Sequence, residues 1–159
     1  MKVFISAELA TKRPIENQTR TTALHELLKV RGFNFVDCLG VYQGHKELSF
    51  CVTVNKEDLA RLHAIANMFR QACILVVDES KAYLLFNNGT EQVLGKGLVE
   101  VNKNNLKGDY TKIENKYYKV KWLHGAILLN CACHSIHLDS INLIHRIQNA
   151  KLQPERSED

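Results

Sequence analysis

The chain has little that would tie it to a membrane, a secretory route or a disulfide scaffold. Among its 159 residues no apolar run approaches the length of a bilayer span. Its first residues, MKVFISAELATKRP, hold an apolar stretch of five, where a signal peptide needs more. A cytoplasmic protein without membrane contact is expected. Cysteine is present five times, an odd number at irregular spacing, which suits reduced and mostly buried thiols better than a framework of bridges. The formal net charge of +4 is small for this length and lies below that of a dedicated nucleic-acid binder. Internal repeats, low-complexity tracts and a linker are also missing, so the length reads as one domain, with its main body over residues 1–122 and a change of character from Leu123. A helical extension over 123–150 and a frayed polar tail over 151–159 are expected to follow.

What is present centres on residues 37–54, DCLGVYQGHKELSFCVTV. Two strand-like runs flank Gln43-Gly44-His45-Lys46, which reads as a hairpin with a four-residue loop and sets Tyr42 opposite Glu47. Period-two alternation then places Phe35, Leu39, Val41, Leu48, Phe50 and Val54 on one buried face. The other face carries Val36, Cys38, Gly40, Tyr42, Glu47, Ser49, Cys51 and Thr53. It is too apolar for water and too polar for a core, so a ligand or a second subunit is expected to cover it.

Around this hairpin the periodicities predict a strand at 2–7, a helix from about 17–22 to Arg31 stopped by Gly32, a helix capped by Asn55 and Asp58, and a strand at 73–77. Strand, helix, strand, strand, helix, strand is the order of a split βαβ unit. The expected class is therefore α+β, with a ferredoxin-like core. Further hairpins follow at 81–101, turning at Asn88-Gly89, and at 109–122, turning at Glu114-Asn115-Lys116. A last amphipathic helix is expected from Asp139 through Ile147.

Three groups of residues invite chemistry and have simpler explanations. Cys131, Cys133, His134 and His137 lack the paired spacing of a zinc site, so no metal is expected. Gly95-Lys96-Gly97 has neither the length nor the strand-to-helix setting of a phosphate loop and reads as a β-turn. In Lys116-Tyr117-Tyr118-Lys119-Val120-Lys121-Trp122, alternation points Tyr118, Val120 and Trp122 one way and Lys119 and Lys121 the other. That pattern is a half-buried strand before it is a nucleic-acid platform. Glu47 differs, because the semi-apolar face beside it would exclude water and strengthen a carboxylate's hold on a cation.

The order of these signals resembles the phage S-adenosylmethionine (SAM)-cleaving enzymes, the SAM lyases formerly called SAM hydrolases. The resemblance rests on Ser6-Ala7, Asn17-x-x-Arg20, Gly40-x-Tyr42 with Glu47, Ala60-Arg61, Cys73-x-Leu75-Val76 and Leu106-x-Gly108-x-Tyr110-Thr111. It implies a PII-like homotrimer that binds substrate between subunits and needs no cofactor, metal or nucleic acid. It further implies that Glu47 holds the substrate's ammonium and that Tyr42 lies near the sulfonium, with Ser6, Asn17 and Arg20 in substrate binding. The implied reaction gives methylthioadenosine and homoserine lactone, depleting SAM in a host's cytoplasm against restriction and methylation. The alternatives are a SAM hydrolase giving homoserine, a non-catalytic PII-like nucleotide-binding trimer, and an RNA-binding protein. Lys46-Glu47, where some relatives carry two acids, and residues 78–81 depart from the pattern.

Overall fold

The structure is a computed structural model that describes residues 1–42 and 45–122. In chain order the elements are β1 (Lys2–Ser6), α1 (Pro14–Val30), β2 (Asn34–Tyr42), β3 (His45–Thr53), α2 (Leu59–Met68) and β4 (Cys73–Val77). They continue as β5 (Ala82–Phe86), β6 (Glu91–Val101), a 3-10 turn (Lys103–Asn105), β7 (Tyr110–Ile113) and β8 (Lys116–Trp122).

All strand pairs are antiparallel and the sheet closes on itself in the order β1-β3-β2-β7-β8-β6-β5-β4. This corrects the ferredoxin-like α+β expectation. The helix and strand order expected over residues 2–77 is present, but the sheet that it forms is not left open. β5 to β8 curl over its far face and join β2 through β7, so the fold is an eight-stranded barrel with two helices among the described residues. The helix expected at 139–147 lies outside those residues, as do Cys131, Cys133, His134 and His137.

Two apolar cores result, one on each side of the first strands. Val3, Ile5, Phe50, Val52, Ile74 and Val76 face outward and pack under the helices with Leu24, Leu28, Leu62, Ile65 and Ala66. Phe4, Cys51, Cys73 and Leu75, the alternate residues of the same strands, face inward to meet Ala82, Leu84, Leu94 and Val120. Strands buried on both faces must be apolar throughout, which is why VFI and CILVV show no alternation. Burying Leu62 completely contributes about 1.5–3 kcal/mol.

Local signals explain most element ends. α1 begins at Pro14, earlier than the expected 17–22, because proline is favoured in the first helical turn and Glu16 Oε2 accepts from the Arg13 backbone N–H at 3.2 Å. Gly32, at φ +75°, ends it, with the Phe33 N–H bonded to the Leu28 carbonyl at 3.0 Å. Asn55 Oδ1 accepts from the Asp58 N–H at 2.8 Å ahead of α2. Gly95-Lys96-Gly97 is not a turn. It is an irregularity inside β6, where the register to β8 shifts between Gly95 and Leu98 and Gly97 takes φ +121°. A bulge there bends the strand, so β6 pairs with β5 along one half and β8 along the other.

Candidate active site

The β2–β3 register decides what surrounds Glu47. Tyr42 pairs with His45, Gly40 with Glu47 and Cys38 with Ser49, so the connection is two residues long and not four. The expected Tyr42–Glu47 pair is corrected to Gly40–Glu47. A slip of two residues leaves every side chain on its expected face, because the strand repeat is two. The loop was overestimated because either length suits this polar, glycine-containing stretch.

The half-polar face points into the barrel. Cys38, Glu47, Ser49 and Cys51 are 6%, 3%, 5% and 4% exposed. The barrel's own strands enclose these four residues, while Val36 at the far end of the same face is 39% exposed. The environment of the four is dry enough to push the Cys51 thiol up to about 11 through burial. Cys38 is raised further, by burial first and then by Cys51, Asp37 and Glu47 nearby. Cys38, Cys51 and Cys73 are free buried thiols, as their irregular spacing suggested.

Residues directly opposite one another share a face, so the registers define two rows across the inner wall. One runs Glu47, Gly40, Thr111, Tyr118 through β3, β2, β7 and β8. The other runs Ser6, Ser49, Cys38, Ile113 through β1, β3, β2 and β7. Gly40, which has no side chain and is buried, stands between Glu47 and Thr111 in the first row; the Cα atoms of these two are about 10 Å apart at two strand spacings. Thr111 and Tyr118 are half-buried further along that row.

Ser6 sits in the second row with its hydroxyl engaged. Ser6 Oγ donates to the Leu48 carbonyl at 2.8 Å and accepts from the Glu8 N–H at 3.1 Å. Ser49 Oγ, directly opposite on β3, is buried and has no hydrogen-bond partner among the described residues.

Arg20 and Asn17 are spent on backbone. Arg20 Nε donates to the Ala7 carbonyl at 2.6 Å and its Nη2 to the Phe69 carbonyl at 2.5 Å, with the guanidinium 5.7 Å from the Phe69 ring centre. Asn17 accepts from the Leu9 N–H at 2.9 Å and donates to the Leu9 carbonyl at 3.0 Å, while Gln71 Nε2 donates to the Glu8 carbonyl at 3.0 Å. Together they fasten residues 7–9, the segment that leaves β1 next to Ser6.

Sequence reasoning grouped Ser49 with the hairpin face and Thr111 with a motif, but gave neither a role. Nothing in the sequence pointed to Gln71, whose contact with Glu8 spans 63 residues. A hollow of about 470 Å³ is lined by Glu100, Lys103, Lys112, Asn115, Lys116 and Tyr117; by register Glu100 continues the row of Tyr118 and Lys116 that of Ile113, whereas Lys112 and Tyr117 lie on the opposite face. No cluster of potential metal ligands occurs among the described residues, and none of their helices is long and apolar enough to cross a membrane.

The described residues form a closed antiparallel barrel of eight strands with a buried acid, Glu47, on its inner wall. The chain belongs to the S-Adenosylmethionine lyase family, whose model matches residues 3–121. That match reaches into all eight strands and makes the protein a member of an enzyme family. Comparison with curated proteins finds no match.

Proposed function

We propose that the protein cleaves SAM to methylthioadenosine and L-homoserine lactone. The observation that carries this reading is the Glu47 carboxylate, 3% exposed beside Gly40 in a chain of the SAM lyase family. The substrate brings its own nucleophile. One oxygen of its carboxylate attacks its γ-carbon, the bond from that carbon to sulfur breaks, and the bonding pair leaves with sulfur as a neutral thioether. Carboxylate and sulfonium charges cancel in the step, which a site poor in water favours.

Glu47 anchors the α-ammonium and so restricts the methionine part to a conformer in which carboxylate and γ-carbon meet. Effective molarities make such restriction worth up to roughly 7–11 kcal/mol. Tyr42, two residues from Gly40 on β2, is assigned to the neighbourhood of the sulfonium by resemblance to the family. Ser6, Asn17 and Arg20 serve the substrate through the segment 7–9 that they shape. Neither a cofactor nor a metal enters this scheme. The resemblance also implies a homotrimer. Its contact surface is not the Cys38–Cys51 face, which the chain covers with its own strands. In a cell the outcome is loss of SAM from restriction and methylation systems.

A hydrolase would need a base to activate water behind the γ-carbon, and Glu47 is already committed to the ammonium. A non-catalytic nucleotide-binding protein would leave SAM intact. Incubation with SAM in isotopically labelled water, quenched early and separated by chromatography, tests all three. Methylthioadenosine with unlabelled lactone is expected. Labelled homoserine as first product would establish hydrolysis, and unchanged SAM would remove the enzyme reading.

A further inference from the structure

Among the described residues, Ser49 Oγ is a polar atom of the inner wall whose burial the fold itself does not use. Ser49 is 5% exposed and its Oγ has no hydrogen-bond partner among the described residues, whereas Ser6 opposite it is bonded twice. Buried hydroxyls are ordinarily satisfied, so one left open inside a strand pair is available to something that enters. Ser49 and Glu47 stand two residues apart on one strand and one face, which sets their Cα atoms about 6.6 Å apart. Gly40, without a side chain, lies directly across from Glu47 and diagonally from Ser49.

Resting on the SAM-cleaving reading above, we propose that Ser49 donates its hydroxyl hydrogen to the substrate's α-carboxylate while Glu47 takes the α-ammonium. An α-amino acid group presents a cation and an anion on neighbouring atoms, and needs an acceptor and a donor side by side to be read as a pair. The strand supplies them at i and i+2. The nearby Cys38 thiol is held protonated by burial and by Cys51, Asp37 and Glu47, so it sets no negative charge against the incoming carboxylate. Ser49 is thus a positioning residue for the nucleophile. By bonding one carboxylate oxygen it leaves the other to face the γ-carbon.

The test uses two unreactive thioethers, S-adenosylhomocysteine and its decarboxylated counterpart, which keeps the amine. Calorimetry on the full chain should show the wild type preferring the carboxylate-bearing ligand by roughly 10- to 100-fold, the range for a hydrogen bond to a charged group. Ser49→Ala should bring that preference close to one, while Glu47→Gln should weaken both ligands alike and keep it. Ser49→Ala should also unfold at an equal or higher temperature, because it deletes a hydroxyl without a partner. A preference retained in Ser49→Ala that still cleaves SAM would overturn the role of Ser49 and leave the lyase reading standing. A wild type that binds neither ligand and leaves SAM intact would overturn both.

Discussion

Glu47 and Arg20 are both polar residues named by the resemblance, yet the structure puts them to different uses. Glu47 lies on the inner wall with 3% exposure, where low polarisability strengthens its attraction for a cation. Arg20 ties the end of β1 to the end of α2 through two carbonyls. Opposite outcomes follow for two substitutions. Glu47→Gln keeps the shape and removes the charge, so turnover should fall by roughly one to two orders of magnitude in a folded protein. Arg20→Ala leaves the Ala7 and Phe69 carbonyls without their donor and should cost on the order of 1–3 kcal/mol of stability. Activity assays beside thermal unfolding check the contrast. Normal turnover in Glu47→Gln would remove Glu47 from the mechanism, and an unchanged melting temperature in Arg20→Ala would free that guanidinium for a direct role.

At the scale of elements, the second half of the chain depends on turns and one irregular strand. Gly97 holds φ +121° with open space where a Cβ would stand, so the constraint there is the backbone and not packing. Gly97→Ala should cost about 1–3 kcal/mol through strain alone, measured by denaturant unfolding. A loss well under this range would mean that β6 can bend elsewhere. The β4–β5 turn is held by Asp78 Oδ1, which accepts from the Ser80 N–H, the Lys81 N–H and the Ser80 hydroxyl at 2.8, 2.8 and 2.9 Å. The two backbone N–H groups are the main reason that the Asp78 carboxyl lies below the usual aspartate range. A depressed carboxyl contributes stability that is full above the unfolded value, about 3.9, and is lost as pH falls through the lower folded value. Asp78→Asn keeps the acceptor and removes the charge, so the melting temperature should decline less between about pH 5 and pH 2 than in the wild type. Parallel curves would show that other carboxylates govern acid unfolding.

For the whole molecule, closure decides where the site can be. An open sheet would have offered the Cys38–Cys51 face to a neighbour, whereas the barrel encloses it within one chain. If a trimer forms, it uses other surfaces, and light scattering at micromolar concentration should give three times the chain mass. A monomer mass would end the trimer and leave a site built by a single barrel. Much of this molecule was legible from residue order alone. Hydrophobic period assigned the sides of both hairpin strands, although Leu48, expected to be buried, is 51% exposed; Gly32 marked a helix end, and CILVV read directly as a buried strand, because these depend on neighbours within a few residues. Register and closure were not legible. Glu47 meets Gly40 because the connection takes two residues where four would also fit. Val41 meets Tyr110 because β7, distant in the chain, pairs with the open edge of β2. Period-two patterning tells which side of a strand is buried and is indifferent to which strand lies beside it. The sequence by itself therefore determined the faces and the acid they carry. Only the tertiary structure decided that this acid lies inside the barrel, with Ser49 on the same face and Thr111 on the far side of Gly40.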